Sequence, residues 1–246
     1  MRNGVKKAVL LACAGALLAL AGCTSNQEIA LDGAGGGTAE VRFEVKKLFA
    51  DYFKGDDKAA KVFDTAKVKA GIEKRPGFKV TRIASPTPES LEMQLAFTDL
   101  RALFSDHPAD NDGIIRITEK DGKTNIALHL DRDSAKKVGA LFSDVSNPAF
   151  KEMSPREQRT RTEKEYLEAI EFAVGKDGPP QMKASSVKIV IRVDGQLVSQ
   201  AGGRVENGAL VFEVPILRMI MLEKPLDYSF TFIPNKKPGK KPAKTH

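Results

Sequence analysis

One long apolar run occurs in this chain of 246 residues, over 8–21, behind the cationic start Arg2, Lys6 and Lys7 and ahead of small residues and a cysteine. Charge, then hydrocarbon, then small side chains is the layout of an export signal, a segment that is removed and belongs to no fold. The run is about 14 residues, shorter than the roughly 20 that a membrane-spanning helix needs. No second run of that length follows, so a chain crossing a bilayer repeatedly with helices is excluded. Whatever folds is expected to start after residue 22.

Charge gives the next constraint. The chain carries 39 Lys and Arg against 32 Asp and Glu, a net of +7. Three of those cations stand in 1–22 and five in 236–246 (Lys236, Lys237, Lys240, Lys241, Lys244), neither segment with an acid, leaving 31 cations against 32 acids between them. A near-neutral body lacks the electrostatic footprint of a nucleic-acid binder, so no nucleic-acid partner is expected. With 41% hydrophobic residues the body has enough apolar side chains for a core.

Leu20-Ala21-Gly22-Cys23 resembles the lipobox of bacterial lipoproteins. In that family the cysteine is thioether-linked to diacylglycerol, cleavage falls just before it, and the new N-terminus is often acylated. The resemblance implies lipid attachment at Cys23 and membrane lipid as a partner. Cys13 lies in the signal, so the mature chain would hold no free thiol and no disulfide, which removes cysteine nucleophiles, iron–sulfur clusters and cysteine-ligated zinc. Two or three acyl chains hold a protein on a membrane durably where one does not. By the sorting rule of some Gram-negative lipoproteins Thr24, not being Asp, favours the outer over the inner membrane.

After the 1–22 signal peptide the reading is a short lipid tether over 23–27, an α+β domain over 28–234 organised as one unit or two lobes, and a basic tail over 235–246. Residues 24–27 reach at most about 15 Å when extended. Strands are expected over 28–31 and 41–45, joined by the glycine-rich loop 32–37, followed by helical spacing of Leu48, Phe49, Tyr52 and Phe53 and an amphipathic stretch over 57–72. No helix pattern follows the glycines, so they form a hairpin loop and not a phosphate cradle. Two more strands cover 78–83 and 91–97. A two-residue turn at Asp121-Gly122 sets Ile117 opposite Ile126 and Ile115 opposite Leu128. One helix is expected from Ser134, burying Ala135, Val138, Leu141 and Phe142. A second opens with the capping box Ser154-Pro155-Arg156-Glu157 and runs to 174, its polar front projecting into solvent. The last third reads as a four-strand meander, 187–193, 196–205, 209–214 and 226–232. An Asn207-Gly208 turn there places Val205 opposite Leu210, Gly203 opposite Phe212 and Ala201 opposite Val214. Strand-rich blocks separated by helices, without regular alternation, give an α+β class of mostly antiparallel sheets with packed helices.

The segment Val198-Ser199-x-x-Gly202-Gly203-x-Val205-x-Asn207-Gly208-x-Leu210-Val211-Phe212 resembles the late hairpin of LppM-type domains of bacterial lipoproteins, with Phe212 where that family usually has Trp. The resemblance implies a membrane-anchored α+β module and carries over no catalytic residue.

No motif supplies chemistry. Ser134-Ala135-Lys136-Lys137 fits Ser-x-x-Lys, but its companion motifs are missing and Ser134 reads as a helix cap. Asp110, Asp112, Gly113, Ile115 and Glu119 match part of a calcium loop whose first position is Pro108, which cannot ligate, and a strand follows where a helix is required. His107, His129 and His246 share no helical spacing, so no histidine zinc site is expected, and His129 reads as a solvated residue on the polar face of its hairpin. No cofactor and no metal are expected. Residues 215–222, interrupted only by Arg218, are the most apolar part of the mature chain; they read as a buried helix, or as a Met-rich surface in which Ile216, Leu217, Met219 and Ile220 meet an acyl chain or a partner groove. The five tail lysines could contact anionic lipid or polymer at about 1 kcal/mol each before screening. The expected function is that of a lipid-anchored cell-envelope lipoprotein acting without catalysis as a binding or assembly module, contacting lipid or an envelope partner. The alternatives are a surface-exposed structural or host-interaction lipoprotein and a hydrolase with scattered residues. A cavity of several hundred Å3 lined by Ile216, Leu217, Met219 and Ile220 would favour the first.

Overall fold

The computed structural model describes residues 23–55, 61–103, 114–135 and 162–235. Alternation of apolar and polar side chains makes the first two strands, β1 (Cys23–Leu31) and β2 (Gly37–Val45), an antiparallel hairpin in which Ile29 faces Ala39 and Cys23 faces Val45. The loop between them is tied by Asp32, whose Oδ1 accepts from the backbone N–H of Ala34 at 2.8 Å and of Gly36 at 3.0 Å. The spacer expected over 23–27 is therefore absent: these residues are the first half of β1, and Ser25 and Gln27 are buried. Helix α1 (Lys47–Lys54) follows and buries Phe49, Ala50 and Phe53. Helix α2 (Thr65–Glu73) starts later than the 57–72 pattern suggests, because Asp64 caps it by accepting from the N–H groups of Ala66 and Lys67, both at 3.1 Å. Strands β3 (Phe78–Ala84) and β4 (Ser90–Phe97) pair as expected. A short 3-10 turn, Leu100–Leu103, follows.

The hairpin of β5 (Ile115–Lys120) and β6 (Lys123–Leu130) has the register predicted from its turn, with Ile117 opposite Ile126 and Ile115 opposite Leu128. Asp121 and Gly122 both adopt positive φ, 52° and 70°, as a two-residue turn between twisted strands requires. Beyond β6 the helical turn 132–135 is capped by Asp131, not Ser134. The Asp131 carboxylate accepts from the N–H of Asp133 at 3.0 Å and of Ser134 at 2.7 Å. Val138, Leu141 and Phe142 lie outside the described residues. So do residues 154–157, the expected start of the next helix. The described helix α3 (Glu163–Val174) has its own capping box, Thr162 with Glu165, so it does not run unbroken from 155. Helix α4 (Gly178–Lys183) packs its first glycine against Ile170 and Val174 of α3.

The last third is not a meander. Strand β7 (Ser186–Val193) enters beside β1 as a parallel neighbour, Ser25 level with Val187, and takes β10 (Ala209–Pro215) on its other side. The stretch read as one strand over 196–205 is broken at Gly202-Gly203 into β8 (Gly195–Ala201) and β9 (Arg204–Glu206). Val205 does face Leu210, but Ala201 faces Ser229 of β11 (Leu226–Pro234) instead of Val214. At the break Gly202 has φ +87°, and a Cβ on Gly203 would lie 2.6 Å from the Phe212 ring. Only residues without side chains let the strand turn there from one sheet into the other.

The outcome is an α+β fold with two sheets and packed helices: a seven-stranded sheet in the order β3-β4-β2-β1-β7-β10-β9, and a four-stranded sheet in the order β5-β6-β11-β8. Among the described pairs all are antiparallel except β1–β7. The apolar stretch that follows β10 forms helix α5 (Ile216–Met221) and ends at Leu222 in a left-handed conformation.

Candidate functional site

Where β1, β7 and β10 face β5, β6 and β11, the two sheets enclose a cavity of about 90 Å3. The large sheet contributes Ile29, Ile189 and Phe212; the small one contributes Ile115, Leu128 and Phe230. Leu100 and Met219 also line it. Each strand delivers alternate residues to this face, so apolar alternation along six strands produces an apolar lining with Tyr228 as its one polar-tipped side chain. The Tyr228 ring packs edge-on to Phe212 at 5.0 Å. Burial pushes its phenol pKa up, partly offset by the charge of Arg218. Leu128, Ile189 and Tyr228 are half-buried where most of the lining is buried, and they mark the side on which the cavity approaches the surface.

Of the two readings of 216–222, a buried helix or an apolar ligand surface, the structure shows the buried helix. Ile216, Leu217, Met219 and Ile220 are all buried on α5, and of the four only Met219 reaches the cavity. The short helix is apolar on every side but one because it is packed there, and Arg218 is its one exposed residue. The cavity of several hundred Å3 lined by these four residues that would have favoured a binding module is not found among the described residues; the core around 216–220 is packed, and the cavity between the sheets is about 90 Å3. Cys23, the expected acylation site, is the first residue of β1. The lysines Lys236, Lys237, Lys240, Lys241 and Lys244 lie outside the described residues, as do Lys137, His107 and His246.

A polar cluster that the sequence did not announce sits on the outer face of β6 and β11. Pairing of these strands sets His129 opposite Asp227, and the ring Nδ1 lies 2.6 Å from Asp227 Oδ1. The other ring nitrogen, Nε2, lies 3.5 Å from Asp131 Oδ2. The hydrogen bond with Asp227 raises the imidazole pKa above its ordinary value, with further help from Asp131. The N–H and hydroxyl of Ser134 hold Asp131 down to about 2. A serine, a histidine and two aspartates are thus assembled, but in an order unsuited to nucleophilic attack. The hydroxyl of Ser134 donates to Asp131 at 2.7 Å, and both ring nitrogens of His129 face carboxylates, so neither is positioned to take the serine proton. The cluster is suited to pinning β6, β11 and the 132–135 turn together. Among the described residues no group of three or more His, Cys, Asp and Glu side chains is placed to hold a metal ion, and no helix is long and apolar enough to cross a membrane.

The cavity lining was partly visible in advance through the Ile115–Leu128 pair, Ile126 of the same hairpin and the strand over 187–193 that supplies Val187, Ile189 and Ile191. That these two apolar faces oppose each other was not, since it depends on strands about 100 residues apart pairing, as His129 and Asp227 do.

No protein-family model matches the chain, and no curated protein matches it. Among solved structures it is similar to the folded domain of the Mycobacterium tuberculosis LppM protein, determined by NMR, at 10% sequence identity and a TM-score of 0.41 over 96% of each chain. That likeness is too loose to carry either fold detail or function from one to the other.

Proposed function

We propose that this chain is a lipid-anchored module of a bacterial cell envelope that binds, without catalysis, a short apolar segment between its two sheets. The observation that carries the binding role is the apolar cavity with its half-buried side at Leu128, Ile189 and Tyr228. An engineered apolar cavity of about 150 Å3 stays dry and admits benzene. By that measure 90 Å3 accommodates the end of an acyl chain or one apolar side chain of a partner, not a whole lipid. Anchoring is supported by the charged start, the apolar run and Leu20-Ala21-Gly22-Cys23, with Thr24 favouring the outer membrane. The tail lysines would add contacts to anionic surfaces of that envelope.

Two variants separate the parts of this reading. Cys23→Ser is expected to leave the membrane fraction and lose the acyl mass, measured by fractionation and mass spectrometry. Leu128→Arg, which sets a charge at the half-buried side of the cavity, is expected to stay folded and anchored while losing a fluorescent fatty acid that the parent chain binds. A parent chain that binds no such probe, with no apolar compound co-purifying in native mass spectrometry, would remove the binding role.

A further inference from the structure

Cleavage before Cys23 makes the first residue of β1 the first residue of the mature chain, so nothing separates the acyl groups from the sheet. The end of the sheet that holds Cys23 must then lie at the headgroups. Topology fixes which elements gather there. Helix α1 begins two residues after Val45, the partner of Cys23. Helix α4 leads into β7, whose Val187 is level with Ser25. Helix α5 follows Pro215, which pairs with Ser186 at the start of β7. Helix α3 packs on both α1 and α4, its Ile170 and Val174 against Gly178.

On α3, Phe172 is 94% exposed, far more than any other large apolar side chain among the described residues. A single exposed apolar side chain is ordinary on a protein surface; this one stands out because it sits on helices gathered at the end of the sheet that holds Cys23. Helix α3 itself is acidic, with Glu163, Glu165, Glu168 and Glu171 exposed against Lys164, while Lys47, Lys176 and Lys183 are exposed on or beside its neighbours. Lipid charge would not draw α3 to an anionic leaflet, so the attraction to a bilayer would come from the ring.

We propose that Phe172 is a second membrane contact: with Cys23 acylated, α3 lies against the anchoring leaflet and the Phe172 ring enters the boundary between headgroups and acyl chains. The proposal rests on the acylation of Cys23 and goes beyond it by fixing the orientation of the whole fold on the bilayer. The cavity mouth, on other elements, would be left free for its ligand.

The chain has no tryptophan. A Phe172→Trp variant therefore carries a single indole, at an exposed position that tolerates it. The full chain, acylated and reconstituted into phosphatidylcholine vesicles containing chain-brominated lipid, is expected to show blue-shifted emission from position 172 and several-fold quenching. Val205→Trp is the control. Val205 is opposite Leu210, at the far end of β10 from Pro215, and is expected to stay unquenched. Acylated protein with an unquenched indole at 172 would overturn the proposal while leaving the anchor intact. Equal quenching at 172 and 205 would also overturn it, since the fold would then have no fixed orientation. Protein without the acyl mass, read by mass spectrometry of the same samples, would overturn the anchor and the proposal together.

Discussion

His129 shows how a single side chain changes character with its neighbours. As a residue of one hairpin it faces Ile114, whose carbonyl accepts its backbone N–H at 2.9 Å, and its ring points to the polar side. Pairing with β11 then brings Asp227 to 2.6 Å, and the following turn brings Asp131. Because the folded pKa lies above the ordinary 6.5, the stability this group contributes is fully present below about pH 6.5 and is lost as the pH rises through the folded value. Asp131 behaves in the opposite sense. Its contribution is present above 3.8 and is lost as the pH falls toward about 2. The urea midpoint of the parent chain should therefore decline on the alkaline side of pH 6.5, and His129→Gln should flatten that decline while changing the acid limb less, because Ser134 supplies the largest part of the lowering at Asp131. A variant with an unchanged alkaline decline would show that the pair contributes nothing to folding stability. The ring is 40% exposed, so the effect is expected to shrink in high salt.

At the level of elements, local chemistry placed some boundaries and left others ambiguous. The β5–β6 hairpin was legible down to its register because Asp121-Gly122 admits only a tight turn and the flanking isoleucines agree with it. Helix α3 was not, because two cap signatures stand eight residues apart, 154–157 and Thr162–Glu165, and sequence spacing alone cannot rank them. The structure shows the second closed: Thr162 Oγ1 accepts from the Glu165 N–H at 3.3 Å, and the Glu165 carboxylate accepts from the Thr162 N–H at 2.7 Å. Thr162→Ala should accordingly cost about 1 kcal/mol, read as a lower urea midpoint, with hydrogen exchange accelerating first at the N-terminal turn of α3. The 196–205 strand is the complementary case. Its apolar pattern is continuous, and only the paired glycines 202 and 203 hint that it serves two sheets.

For the molecule as a whole, sheet order dominates. β11, the last strand described, sits between β6 and β8 in the small sheet, so one wall of the cavity is completed only by residues after 225. A chain ended after Lys224 should keep the β1–β2 hairpin but lose protection of the β5–β6 amides in hydrogen exchange; retained protection there would show that the hairpin stands without β11. What the sequence by itself determined is local: the apolar run and Leu20-Ala21-Gly22-Cys23, the turns, the alternation of strands, and the class of fold. These depend on interactions within a few residues, where composition and spacing leave few choices. Tertiary structure decided the rest: that β1 begins at Cys23 and lies beside β7, that α5 is packed away from the surface, that Phe172 is not, and that two apolar faces meet around a small cavity. Each follows from pairing partners separated by tens to hundreds of residues. Many apolar strands offer nearly equal local matches, so only the packing of the whole chain chooses among them.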